Sequence, residues 1–282
     1  MAPLPPPQLA RCYRHPDREA GRSCTRCGRP ECSECLVQAT VGSHCVDCTR
    51  ASRPSTTTRA RDWNARQPVL VTYALIAVNA AVFVWVLLGS SRALGSRVTA
   101  REFDLGLNKA ILEATGEWYR LVTSGFLHFG IFHLAMNMFL LYQLGQLIEP
   151  AIGRVRFALV YAASLLGGSA GVLVLQGDSL GLHGGASGAV FGLMGAAAVG
   201  LHRRGVNIFQ TGIGLTLLLN LVITFTIPGI SIGGHIGGIV AGVLCGIVVL
   251  APGWKRFPLW ATYVAPSVVA LAAVGLSVAV VG

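Results

Sequence analysis

Seven apolar runs, near 69–89, 131–148, 155–176, 186–201, 206–227, 232–251 and 259–281, leave this chain few ways to fold. Most are long enough to cross a hydrocarbon core ~30 Å thick. In lipid each backbone N–H and C=O must find its partner inside the segment, so such runs become helices. Buried helices of a soluble domain would account for one or two of them, not for seven. Apolar residues make up 53% of the 282 positions and charged ones 12%, a balance that excludes an ordinary soluble globule. The expected fold class is an all-α polytopic membrane protein, with no cleavable secretory leader ahead of the first run.

The basic residues set an expected orientation. Arg59, Arg61 and Arg66 precede the first run, Arg154 and Arg156 follow the second, Arg203 and Arg204 the fourth, and Lys255 and Arg256 the sixth. The turns Gly177–Gly185 and Pro228–Ile232 carry no Lys or Arg. Positive loops stay cytoplasmic, which puts the N-terminus inside and the neutral turns outside, in the plasma membrane. The loop Gly89–Glu117 is basic but long, so it is able to translocate; its Phe103, Leu105, Leu107, Ile111 and Leu112 are expected in the interface. A net charge of +10 fits contact with anionic lipid, and no aromatic-interleaved basic stripe points to nucleic acid.

Residues 1–50 are of another physical class. Seven of the eight cysteines lie here and, with His15, form four close pairs: Cys12/His15, Cys24/Cys27, Cys32/Cys35 and Cys45/Cys48. Two-residue spacing lets one turn offer both ligands to a tetrahedral ion, so eight ligands satisfy two structural Zn²⁺. Disulfides are disfavoured by a cytoplasmic location and an odd thiol count. The segment resembles a B-box or related cross-brace zinc finger. That resemblance implies that the first and third pairs share one ion and the second and fourth the other, while sequential pairing stays open. His44 is an alternative to Cys45, read here as a spare surface histidine. A head with so little core would fold on its metal and dock a cytoplasmic protein. Residues 51–67, rich in Arg, Ser, Thr and Pro, read as a flexible tether.

The run Ala186–Leu201 would make a helix only about 24 Å long, so its start should sit below the membrane surface in a wet dip. Ser187 lies at that start. His133 and Asn137 lie i, i+4 in the first turns of the second run, with His128 just before, and His235 opens the sixth. Three helices thus place polar groups at similar depth near the outer face, where polar residues are costly. Each taken singly is more often a helix–helix hydrogen bond, the reading given to Asn79 and Asn220. Gly188 and Gly192 in the fourth run, and Gly234, Gly238, Gly242 and Gly246 in the sixth, form small faces that let two helices touch. Such contact would bring Ser187 and His235 within reach.

From about residue 68 to 252 the chain resembles a rhomboid intramembrane serine protease. The residues that carry the resemblance are Glu117-Trp118-Tyr119-Arg120, then His128, His133 and Asn137, then Gly185-Ala186-Ser187-Gly188, then His235 with Gly238 and Gly242. It implies a six-helix core at 68–252, with 253–282 adding a seventh transmembrane helix. It also implies Ser187 as nucleophile and His235 as general base, with no cofactor for catalysis. The backbone N–H of Ser187, His133 and Asn137 would hold the oxyanion, with His128 assisting. Phe191, where relatives often have Tyr, would lie under the His235 ring, and Trp118 and Arg120 would fix the first loop. Substrates would be transmembrane proteins cut near the outer side. Two rivals stand beside this. A transporter or channel predicts polar groups through the whole depth, and an inactive rhomboid-like binding factor predicts a lost serine or histidine.

Overall fold

The computed structural model describes residues 10–55, 58–59, 63, 68–89, 98–175, 181–255 and 257–282. Most of the tether at 51–67 lies outside them, as do Arg61, Arg66, Arg92, Arg97 and Arg256. The chain divides into two units, Met1–Trp63 and Asn64–Gly282.

The first unit is two small hairpins and a short helix. Strand β1 (Arg22–Ser23) pairs antiparallel with β2 (Pro30–Glu31), and β3 (Leu36–Gln38) with β4 (Ser43–Cys45). Helix α1 (Val46–Ala51) follows, with Cys45 as its N-cap. Gly28 and Gly42 take positive φ at the hairpin tips, a conformation that suits a residue without Cβ. The buried apolar side chains of this unit are Cys12, Ala20, Cys24, Cys32, Cys35 and Cys45. No Leu, Ile or Phe is among them, so apolar burial supplies little of its stability. Its ion pairs, such as Arg18–Glu34 at 2.6 Å, are exposed and contribute little more.

The second unit is a helical membrane bundle. Helix α2 (Leu70–Gly89) is followed by three short helices, α3 (Ala100–Leu105), α4 (Lys109–Thr115) and α5 (Arg120–Thr123). Then come α6 (Ile131–Ile152), α7 (Arg154–Leu175), α8 (Ser187–His202), α9 (Ile213–Thr226), α10 (Ile232–Val249) and α11 (Ala261–Val281). Five of these, α2, α6, α7, α10 and α11, are long and apolar enough to cross a membrane, while α8 and α9 are shorter. Together they make a multi-pass membrane protein.

The span expected at 206–227 is shorter than its apolar run. A 3-10 turn at Ile208–Thr211 and a left-handed Gly212 occupy its first part, and the α-helix begins only at Ile213. Asn207 caps the turn by accepting from the Phe209 N–H, which ends the apolar continuity that the sequence suggests.

Helix α7 lies at the centre, with 67% of its apolar window buried, against 22% for α2 and 17% for α11. The peripheral helices therefore turn most of their surface to lipid. The main core joins Leu141, Phe157, Leu193, Met194 and Cys245 across α6, α7, α8 and α10.

Two buried polar groups tie elements together. The Glu149 carboxylate, at the end of α6, accepts from Val71 N, Thr72 N and the Thr72 hydroxyl at 3.0, 2.9 and 2.6 Å. It thus caps the start of α2, where a helix dipole favours negative charge. Arg120, 3% exposed, donates to the Phe103 and Gly106 carbonyls at 2.5 and 2.9 Å and to Glu117 at 2.8 and 2.5 Å. It holds α3–α5 together from within the loop. Trp118 remains exposed.

Two apolar residues of this loop depart from their expected place in the interface. Leu107 and Leu112 are buried with Leu121, Val172 and Leu173, not spread on a surface. Leu107 also exchanges two 2.8 Å backbone bonds with His183, which fastens this loop to the one before α8. Asn220 is not bound across helices: its amide donates to Thr216 O, one turn back. The Asn79 amide donates to Leu75 O at 2.8 Å in its own helix, and its side chain also meets Tyr161 of α7.

Candidate active site

The geometry at the start of α8 follows from glycine. Gly185 has φ +135°, a region closed to most side chains, and turns the chain so that Ser187 becomes the first residue of the helix. A Cβ on Gly185 would lie 2.8 Å from the His133 ring and 3.6 Å from Ser187 Oγ, so both groups crowd that glycine. As first residue of α8, Ser187 has an N–H with no acceptor in its own helix.

Helix α10 approaches α8 through its small face. A Cβ on Gly238 would overlap the carbonyl of Gly188, and one on Gly242 the carbonyl of Gly192. A second face, not foreseen, meets α7: Gly233 and Gly237 lie against Gly171 and Gly167 in the same manner. The signal was present, since both pairs stand four apart. Ser231 caps α10 by accepting from Gly234 N at 3.1 Å, which fixes the turn before His235.

This packing places Ser187 Oγ 2.8 Å from His235 Nε2. The Phe191 ring stacks on the imidazole, with centroids 4.0 Å apart and planes at 17°. His235 is 6% exposed and Ser187 more open, so the pair faces a partly sheltered space. A cavity of about 40 Å³ lies beside it, lined among others by Ser124, His183, Ser187 and Ser231. That suffices for a water molecule among polar partners.

Three further polar residues gather on the same side. His133 Nδ1 accepts from Phe129 N at 3.4 Å, which leaves the proton on Nε2, the atom near Gly185. His128 meets His133 edge-on at 5.0 Å, and its Nε2 accepts from Ala186 N at 3.4 Å, so it braces the turn that carries Ser187. Asn137 Nδ2 donates to His133 O at 2.9 Å, which employs one of its two amide protons within α6.

One contact had no forerunner in the sequence. Thr224 Oγ1, on α9, lies 2.7 Å from His235 Nδ1. A threonine in an apolar helix normally bonds its own backbone, so nothing local marked it.

Outside the membrane-spanning helices, Glu117 has its pKa held below the usual carboxylate value, chiefly by the hydrogen bond from Arg120.

In the first unit the eight expected ligands form two clusters: Cys12, His15, Cys32 and Cys35, and Cys24, Cys27, Cys45 and Cys48. Each joins alternate pairs, and within each the ligand atoms lie within 4.8 Å of one another. Tetrahedral bonds of ~2.3 Å to sulfur imply edges near ~3.8 Å. Cys27 and Cys45 Sγ are 3.8 Å apart, and His15 Nδ1 lies 3.3 Å from Cys35 Sγ and 3.5 Å from Cys32 Sγ. Both clusters thus have the size and donor chemistry to hold a metal ion. Backbone N–H groups of Cys45 and Cys48 point at Cys24 and Cys45 Sγ. His44 belongs to neither cluster: strand alternation turns it away from Cys45, opposite Val37.

Residues 115–252 match the family model described as a rhomboid domain. The chain is 33% identical over 167 residues to a Bacillus subtilis protein named rhomboid protease GluP, and 35% identical over 126 residues to one named putative rhomboid protease YdcA. These alignments cover 58% and 45% of this chain, but only 32% and 59% of the two relatives. The chain is also 30% identical over 137 residues to an Arabidopsis thaliana protein named inactive RHOMBOID-like protein 8, covering 49% of this chain and 38% of that one.

Proposed function

Since this chain carries a rhomboid domain, we propose that it is an intramembrane serine endopeptidase working through a Ser187–His235 dyad. The observation that carries the reading is the 2.8 Å approach of Ser187 Oγ to an imidazole nitrogen, in a packed and partly sheltered site. A hydroxyl in hydrogen-bond contact with a base is the arrangement that makes serine nucleophilic.

Ser187 Oγ attacks the scissile carbonyl carbon while its proton passes to His235 Nε2. The carbonyl π electrons move to oxygen, and this oxyanion is met by the Ser187 N–H, His133 Nε2–H and the remaining Asn137 amide proton. The C–N bond then breaks, and Nε2 returns the proton to the departing amine. In the second half, water gives a proton to Nε2 as its oxygen attacks the acyl carbon. The ester C–O bond then breaks, and Nε2 passes that proton to Oγ, which restores the Ser187 hydroxyl. Phe191 keeps the imidazole plane in place throughout, and His128 holds the turn under Ser187.

The substrates in this reading are transmembrane proteins, cut near the outer face where helix-weakening residues free a carbonyl. Arg154, Arg156, Arg203 and Arg204 on the opposite loops support a cytoplasmic N-terminus in the plasma membrane. In the N-terminal unit, thiolate-rich tetrahedral clusters point to two structural Zn²⁺ ions, and the unit would dock a cytoplasmic protein. The inactive relative keeps a second reading in view, a client-binding factor without chemistry. Retention of both Ser187 and His235 favours the peptidase.

Fluorophosphonate labelling of purified protein tests the proposal. Wild type should label, and Ser187→Ala and His235→Ala should not. Labelling that persists in Ser187→Ala would remove the nucleophile.

A further inference from the structure

We infer that Thr224 is a positioning residue that fixes which nitrogen of His235 carries the proton. This rests on the dyad reading above and adds a member on a third helix.

The argument is one of hydrogen-bond direction. Thr224 Oγ1 has two neighbours: His235 Nδ1 at 2.7 Å and the Asn220 carbonyl oxygen, also at 2.7 Å. The hydroxyl has one proton and can donate to only one of them. A carbonyl oxygen can only accept. If Thr224 gave its proton to Nδ1, two oxygens would face each other at 2.7 Å with no hydrogen between them. The proton therefore goes to Asn220 O, and Thr224 Oγ1 accepts from Nδ1–H. In the neutral ring Nε2 is then bare, and the 2.8 Å contact with Ser187 runs from the hydroxyl to the imidazole. That is the direction a general base needs. The opposite tautomer would donate to Ser187 and be unable to take its proton.

Burial sharpens the point. On α9 the fully buried residues are Gly214 and Thr224, while Leu215, Leu218, Leu219, Val222, Ile223 and Phe225 are exposed. The one polar side chain this helix buries is the one that meets the imidazole. Among the described residues no acidic side chain bonds His235, and a neutral hydroxyl backed by a carbonyl performs the orienting part. It adds no negative charge to stabilise the imidazolium, so its effect is on the population of the competent tautomer.

The experiment uses the full-length protein in detergent or bilayers, with Thr224→Val and Thr224→Ser beside wild type. Valine keeps the branched shape and removes the hydroxyl; serine keeps the hydroxyl. Two readouts are taken. ¹⁵N-histidine NMR, with the His235 signal identified by its loss in His235→Ala, reports the tautomer of the resting protein. The fluorophosphonate reaction and cleavage of a transmembrane reporter substrate report chemistry. Wild type and Thr224→Ser should show Nδ1–H, and Thr224→Val a mixture in which Nε2–H prevails by about ten to one. The labelling rate and kcat should fall about tenfold or more in Thr224→Val with KM unchanged, and stay within about twofold of wild type in Thr224→Ser. Wild-type labelling together with an unaltered tautomer and rate in Thr224→Val overturns the inference and leaves the dyad standing. A wild type that neither labels nor cleaves refutes the dyad instead, and the NMR comparison then still decides whether Thr224 sets the proton.

Discussion

Replacing Gly238 with alanine should disable the site without touching a reacting atom. Gly238 lies one turn after His235, against the backbone of Gly188, the residue next to Ser187. A Cβ there would overlap the Gly188 carbonyl oxygen and stand 2.8 Å from its carbon and 3.1 Å from its Cα. Carbon atoms rest at ~3.5–4.0 Å, so α8 and α10 must part by about 1 Å. Added to the 2.8 Å between Ser187 Oγ and His235 Nε2, this exceeds the range of a hydrogen bond. Overpacking of this kind costs ~1–3 kcal/mol of stability. A misplacement of ~1 Å at a catalytic pair costs ~10²-fold in rate. The assay is the fluorophosphonate labelling rate, measured well below a melting temperature recorded for each protein. Gly275→Ala serves as control, since a Cβ at that position meets nothing within 4 Å. The control should behave as wild type. If Gly238→Ala labels within twofold of wild type and melts at the same temperature, backbone contact does not set the dyad distance and the reasoning fails.

Three other outcomes follow from described contacts. Glu149→Gln should lower stability by ~1–3 kcal/mol, because the amide accepts at only one oxygen where the carboxylate serves three donors of α2; an unchanged thermal melt would contradict the cap. Metal analysis should find two zinc ions per chain, with Cys12→Ser and Cys24→Ser each losing one and leaving the other, whereas loss of both from either variant would mean that the two clusters do not hold metal independently. Because Arg120 depresses the Glu117 pKa, their pairing stabilises the fold above the ordinary carboxylate value, and that contribution disappears as pH falls through the lowered one. Comparing acid unfolding of wild type with Glu117→Gln should reveal it, the variant showing a flatter profile.

The parts of this molecule readable in advance were those whose pattern is local. Apolar runs of bilayer length gave the helices, and fourfold glycine spacing in 188–192 and 234–246 gave the α8–α10 seam. What escaped depended on distant neighbours. Leu107 and Leu112 look like any apolar loop residues until Val172 and Leu173 of α7 are seen to cover them. The late start of α9 was hidden because Val206, Ile208 and Phe209 continue the apolar run, while one left-handed glycine breaks it. In the head, spacing of two residues does not say which pairs share an ion; the cross-brace resemblance implied first with third and second with fourth, and the two clusters join those pairs. Thr224 escaped for a similar reason: its bond to Asn220 O is the ordinary habit of a helical threonine, and only the ring from α10 gives the hydroxyl another use.

Helix α10 meets neighbours on two flanks through bare backbone, at Gly238 and Gly242 on one side and at Gly233 and Gly237 on the other. At these four positions no side chain stands between the helices to bend or repack under stress. The spacing of hydroxyl and imidazole is thus set by the thickness of peptide itself, as rigid a gauge as a polypeptide offers. When the bilayer thins, warms or bends, α7, α8 and α10 must move as one block, and adjustment falls to the lipid-facing helices around them.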